Sequence, residues 1–309
     1  MKKKIGKRLI QFIPVFLGIT FLSFVLMAIA PGDAAAARLS AGGTTPSPEA
    51  VEAMRVQMGL DKPMIVQYLT WLLSLIKGDM GISFANDLPV ASRMMTALPY
   101  TLKMAGSSMI LTLIISIPLG IYTAVKKDKA PDYIIRFFTF IGNSLPNFII
   151  AIILLYIFSV KLQLIPILAT KTIKGMILPA STLALVMSSR YIRQVRAAVL
   201  DELNKDYVVG ARARGISERN ILYRNVLKNV MITVVTLTGI SIGSLLGGTV
   251  VVETIFNWPG LGEMVMKAIS ARDYPVIQGF VVWMAIIYTL VNIVTDYSYT
   301  VFNPKIKEV

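Results

Sequence analysis

Apolar runs close to the length that crosses a bilayer recur along this chain, at residues 9–30, 102–125, 134–160, 230–252 and 276–302, with a shorter one at 176–189. An α-helix rises ~1.5 Å per residue, so about twenty residues cover a hydrocarbon core of ~30 Å. Backbone groups in lipid must be bonded within their own segment, which makes each run a helix. The fold class that follows is all-α, a polytopic membrane protein of six transmembrane helices. The first run ends in Ala28-Ile29-Ala30, which has the look of a signal-peptide cleavage site. Its 22 residues exceed a typical signal core and are enough to span, so it is read as a retained first span.

Charge gives the topology. The 309 residues are 55% hydrophobic and 16% charged, with a net charge of +14. If the N-terminus is cytoplasmic, segments 1–8, 126–136, 190–228 and 303–309 lie inside with 20 Lys/Arg against 7 acids, whereas 31–98, 161–175 and 253–275 lie outside with 10 against 9. Basic residues concentrated in short inner loops follow the positive-inside rule, so the basic balance reports orientation and not nucleic-acid binding. Both termini are then cytoplasmic. With no Cys and no His, no disulfide framework, Cys/His zinc site, catalytic thiol or histidine base is available.

The chain divides into residues 1–30 (N-terminus and first span), 31–98 (an external helical region) and 99–309 (a core of five spans). In the external region, Ser47-Pro48-Glu49 predicts a helix start and Gly59 its end. Residues 63–77 predict an interfacial helix, since they are too few and too polar to cross. The third span is interrupted at Gly142–Asn147 by Pro146, which predicts a kink or a break lining a cavity. The fourth apolar run has only 14 residues, so its helix must continue inward through Arg190, Arg193 and Arg196, whose side chains can snorkel to headgroups or face a soluble partner.

Segment 201–228, DELNKDYVVGARARGISERNILYRNVLK, is too charged for hydrocarbon yet reads as two short helices. The first stops at Gly215, which tolerates a left-handed backbone, and the second starts at Ser217 as N-cap. An ordered basic turn on the water side predicts a docking element. In the fifth span, Gly239-Ile240-Ser241-Ile242-Gly243 matches a serine-nucleophile motif by letter, but mid-helix placement and the absence of histidine exclude that chemistry. Gly239, Gly243 and Gly247 recur every four residues and offer a small face for helix packing or for a translocation path, with Gly248 beside it. No phosphate-binding G-x-x-x-x-G-K-[ST] occurs, so any ATP would be used elsewhere. Asp296 is the one acid deep in a span, with structural and transport roles both open.

An ordered set of motifs resembles the membrane permease subunits of binding-protein-dependent ABC importers, in the dipeptide/oligopeptide/nickel branch. It comprises Pro31-Gly32-Asp33, Gly59–Pro63, Gly78–Ser83, ARARG at 211–215, GGTVVVETIFNWPGLG at 247–262, AISARDYPVIQG at 268–279, and Asn292 with Asp296 before Asn303-Pro304. The resemblance implies a type I importer permease fold, without enzymatic activity of its own and with no cofactor or metal bound by this chain. It implies a homologous second permease (a heterodimer), two ATP-binding cassette ATPase subunits that use the ATP, and an external substrate-binding protein, in a bacterial or archaeal plasma membrane.

The family's cytoplasmic loop carries an E-A-A-x3-G motif that docks on the ATPase. Ala211 and Gly215 match its second Ala and its Gly, whereas Val209 and Gly210 replace the Glu and first Ala, and Lys228 replaces the Pro after Leu227. Ala211, Arg212, Ala213, Arg214, Gly215 and Ile216 are thus the coupling candidates, with a bulky residue at Ala211 or Gly215 expected to wedge the interface apart. Segment 253–275 resembles the gate-side loop, where Pro259-Gly260 and Gly262 allow a tight turn and Phe256 and Trp258 can sit at headgroup level. Gly243, Gly247, Gly248, Glu253, Phe256, Trp258, Pro259 and Asp273 are the candidates for path or gate. Cargo is expected to be a nickel chelate or a di- or oligopeptide. Stretches 82–90 and 131–148 look more like the nickel members.

Overall fold

The computed structural model of the chain describes residues 2–40, 43, 45–167 and 171–302. The basic tail at 303–309 and the side chain of Asp296 lie outside the described residues. In chain order the helices are α1 (Lys2–Ile29), α2 (Ala34–Ser40), α3 (Pro48–Gln57), α4 (Met64–Ile76), α5 (Val90–Val125), α6 (Ala130–Ser144), α7 (Asn147–Leu155, continued by a π-turn to Lys161), α8 (Ile173–Leu203), α9 (Asp206–Ala213), α10 (Glu218–Asn220), α11 (Leu227–Phe256), α12 (Leu261–Ala271) and α13 (Tyr274–Phe302). Among the described residues, four helical stretches are long and apolar enough to cross a membrane: Ile10–Ile29, Val90–Val125, Glu218–Phe256 and Tyr274–Thr295. The pair α6 and α7, with its π-turn, makes a fifth if it counts as one span. The short apolar run at 176–189 lies within the 31-residue α8, which continues unbroken through Arg196.

The predicted third span is two helices bent by 105°. Leu145 is extended (ψ 131°), because a residue preceding proline is driven out of the helical region, and Pro146 is extended too (ψ 148°) as the N-cap of α7. This is a corner and more than a kink. Arg196 also departs from expectation: it neither snorkels nor faces outward but forks onto the fully buried Asp132 of α6, Nε to Oδ1 at 2.8 Å and Nη2 to Oδ2 at 2.7 Å. A bidentate pair of this kind is among the stronger polar contacts and fixes α6 against α8.

Two compact units emerge, Met1–Thr101 with Pro259–Leu290, and Leu102–Trp258 with Val291–Val309. The external region at 31–98 therefore groups with the first span and with a late segment. In this first unit Ser47 caps α3, its side chain accepting from the Ala50 N–H, and Gly59 (φ +68°) closes it. The Leu60 N–H reaches back to the Arg55 carbonyl at 2.9 Å, a Schellman end. Asp33 opens α2 by accepting from the Ala35 N–H and pairs with Arg55 of α3 at 2.8 Å. Burial pushes the Asp33 carboxyl up, but the hydrogen bonds from Arg55 and Ala35 outweigh it and hold the group below the usual range. Helix α4 lies on α1 through Tyr68, whose hydroxyl sits 3.1 Å from Thr20 Oγ1 and whose ring takes Phe21 and Phe24 edge-on.

Candidate functional site

Segment 201–228, in the second unit, folds as a hairpin. Helix α9 ends at Ala213, Arg214 caps it, and Gly215 adopts φ +75°. The Ile216 N–H bonds the Ala211 carbonyl at 3.2 Å and the Gly215 N–H bonds the Arg212 carbonyl at 2.9 Å. These are the two bonds of a Schellman motif, which needs a left-handed residue at this position, and glycine takes it without a Cβ penalty. Ser217 starts the next helix with an extended backbone and no side-chain cap bond. That helix continues through a π-turn at Ile221–Val226 into α11, so a single 39-residue stretch runs from Glu218 to Phe256. The hairpin and the fifth span share one rod.

The two faces of the hairpin differ. Val208 and Ala211 are buried (0% and 1% exposed) with Val195 and Val199 of α8, Ile221 and Val226 of the π-turn, Val230 and Val234 of α11, and Ala124 of α5. Ala211, one of the coupling candidates, packs the chain's own interior, where a small residue lets α9 approach the helices beneath it. Val209, Gly210 and every residue from Arg212 to Asn220 are exposed. The Gly215 Cα faces open space, with nothing within 4 Å of where a Cβ would stand. Arg212 crosses the turn to Glu218 (Nε to Oε1, 2.6 Å), but both side chains are solvated, so the pair contributes little to stability.

The base of the hairpin is tied by Glu202, a residue the motif reading does not single out. Its buried carboxylate accepts from the Tyr207 hydroxyl at 2.8 Å and from Asn229 Nδ2 at 2.6 Å, and pairs with Lys205. Burial raises this carboxyl, yet the bonds from Lys205, Tyr207 and Asn229 together outweigh it and leave the group below its ordinary value. One carboxylate thus joins α8, α9 and α11. The sequence signal was an acid among charged neighbours, indistinguishable from a solvated one.

The path candidates are dispersed. A Cβ on Gly239 would fall 2.1 Å from Thr295 Cγ2, so that glycine serves helix packing against α13, whereas Gly247 is exposed with open space beside it. Gly248 approaches Asn147 Nδ2 (3.2 Å from an added Cβ) beside a cavity of about 90 Å³ lined also by Arg190, Tyr191 and Ser241. Gly243 is half-buried. Glu253, Phe256 and Trp258 are all buried, at 0%, 2% and 2% exposed. Phe256 and Trp258 are thus packed inside the chain. The turn after α11 is made by Asn257 (φ +51°), with the Trp258 N–H bonded to the Glu253 carbonyl at 2.8 Å, while Pro259 is half-buried and Gly260 is the extended N-cap of α12. Asparagine tolerates the left-handed region better than most side chains.

In the first unit Asp273 is 1% exposed and accepts from the Ser83 hydroxyl, from the Phe84 N–H at 2.8 Å and from Arg93 Nη1 at 3.4 Å. Saturated in this way, it clamps the loop before α5 to the junction of α12 and α13. Among the described residues, no group of three or more His, Cys, Asp or Glu is placed to hold a metal.

Residues 116–308 match the model of the family described as binding-protein-dependent transport system inner membrane component, and residues 1–105 match that of its N-terminal region. The chain is 38% identical over 322 residues to the oligopeptide transport system permease protein AppB of Bacillus subtilis, covering 99% of this chain and 100% of that one. It is 36% identical to the glutathione transport system permease protein GsiC of Escherichia coli K12, over 97% of each. Among solved structures, a chain of the MetNI methionine ABC transporter in an inward-facing conformation superposes with a TM-score of 0.58 at 16% identity, covering 68% of this chain and 96% of that one. That likeness concerns the fold.

Proposed function

The chain belongs to the family of binding-protein-dependent transport system inner membrane components, and from that premise we propose that it forms half of the translocation path of an ATP-driven importer for peptides. A homologous second permease completes the path, two ATPase subunits supply the work, and an external binding protein delivers cargo. The chain itself binds no cofactor. Both termini face the cytoplasm, in keeping with the excess of Lys and Arg in the short loops on that side. Peptide is placed ahead of a nickel chelate because the similar permeases are named for oligopeptide and glutathione.

The observation that carries the mechanism is the hairpin at Gly215. Its outer face is exposed, basic and closely approachable at Val209, Gly210, Ala213 and Ile216, while its inner face is welded to α8 and α11. An ATPase subunit gripping that outer face moves a body that includes the 39-residue stretch Glu218–Phe256. Movement at the hairpin is thereby carried along continuous helix to the buried Glu253 and Phe256. The test is uptake of labelled peptide by vesicles holding the chain with its partner subunits. Uptake should require ATP inside and the binding protein outside; uptake by this chain alone, without ATPase subunits, would make it a self-contained secondary transporter or channel.

A further inference from the structure

The first unit, residues 1–101 with 259–290, forms a half-open cavity of about 510 Å³. That volume falls in the range of small-ligand sites, roughly 300–1,000 Å³. Its walls are the outer end of α1, the helices α2 to α4 and the first turns of α13. Phe24, Trp71, Phe84 and Tyr274 give it aromatic surface, and the Asp33–Arg55 pair stands in its lining. Gln278 is 1% exposed and lines the same space, yet neither its Oε1 nor its Nε2 has a hydrogen-bond partner. The Nε1–H of Trp71 is buried and unpartnered as well. Among the described residues seven buried side-chain polar atoms lack a partner, and three of them belong to this one cavity. Buried amides are ordinarily bonded, so a cluster of orphans at one cavity calls for a ligand.

We propose that this cavity binds a short peptide, with the Gln278 side-chain amide bonding a peptide group of the ligand. The chemistry is complementary: Gln offers one acceptor and a donor on a single plane, matching the N–H and C=O of a peptide group. The Trp71 N–H supplies a second donor to a ligand carbonyl, and the aromatic walls take an apolar side chain. A lipid acyl chain in the same space would leave all three polar atoms unpaired. The proposal rests on the peptide reading of the cargo and deepens it, giving the outer side of this subunit a recognition site separate from the path candidates on α11.

The experiment is calorimetric titration of the tripeptide Ala-Phe-Ala into the assembled transporter in lipid nanodiscs, without the binding protein, followed by the same titration of Gln278→Leu and Trp71→Phe. Gln278→Leu should weaken binding roughly tenfold, the scale of a lost buried hydrogen-bonding group, while the melting temperature is unchanged or higher because an unpaired buried amide has been removed. Trp71→Phe should weaken binding severalfold with the ring retained, and it carries the test alone if Gln278→Leu does not assemble. Equal affinity in the variants, or no heat from the wild type at millimolar peptide, means the cavity holds only water and overturns the proposal. Peptide uptake is measured in parallel: uptake with no variant effect on binding removes this site alone, whereas peptide binding without any ATP-dependent uptake removes the reading of function.

Discussion

Two helix ends in this chain use the same backbone device for opposite purposes. At the hairpin, the Ile216 N–H returns to the Ala211 carbonyl around a left-handed Gly215; at the junction of α12 and α13, the Asp273 N–H returns to the Ala268 carbonyl at 2.8 Å around a left-handed Arg272 (φ +54°). Around the first turn the charges of Arg212 and Arg214 before it and Glu218 after it point to water, while apolar Val208 and Ala211 of the preceding helix point in. After the second turn the charge points inward, onto Ser83, Phe84 and Arg93. One end presents a surface and the other locks a junction. The difference separates exposed Ala213 from buried Ala211 on the same helix, and it leaves Asp273 occupied by groups of its own chain.

The sharpest way to break the comparison is Gly215→Glu. A side chain there is held at φ +75°, costing about 1–2 kcal/mol of strain, and it puts an acid at the centre of the proposed docking face. ATP-dependent uptake should be abolished while the protein remains inserted, as read by transport and membrane fractionation; normal uptake would remove the docking role. Asp273→Asn tests the other end. Weakening the partner of a partly buried Arg93 should cost about 1–3 kcal/mol, seen as a lower melting temperature with transport reduced only in proportion to folded protein. Ala211→Leu and Ala213→Leu then compare the two faces of α9 directly. Overpacking at the buried site should destabilise the chain by about 1–3 kcal/mol, whereas the exposed site should leave melting unchanged and weaken association with the ATPase.

Glu202 gives a smaller, pH-dependent effect. Its carboxyl is depressed in the folded state, so the bonds to Tyr207, Asn229 and Lys205 contribute fully above the ordinary glutamate value of 4.5 and are lost as pH falls through the lower folded value. Hydrogen exchange in α9 should rise on acidification below about pH 4.5, and Glu202→Gln should flatten that rise. The smallest effect belongs to Glu218→Ala, which removes an exposed pair with Arg212 and should change stability by less than about 1 kcal/mol.

The residues of the turns were legible from sequence because their physics is local. Ser47, Pro48 and Gly59 bound one helix and Gly215 closes another for reasons contained within a few residues. Run lengths likewise give the apolar helices, and they foretell that α8 must extend beyond its short apolar part. What stayed hidden depends on residues far apart in the chain. Asp132 meets Arg196 across 64 residues and Ser83 meets Asp273 across 190, so Arg196 looked like a snorkelling cation and Asp273 like a gate. Pro146 announces a break but not its 105° angle, which is set by what α6 and α7 each pack against. Alanine at 211 fits a docking face and a packed interior equally well, and only the burial of Val208 one turn before it decides between them.

The absence of cysteine from the chain makes the central claim directly measurable. A single cysteine at Ala213 can be probed with a membrane-impermeant maleimide, in intact cells and in inside-out vesicles, with and without the ATPase subunits. The account predicts labelling only from the cytoplasmic side and protection once the ATPase subunits bind. Labelling from outside the cell, or unchanged labelling in the complete assembly, would contradict it.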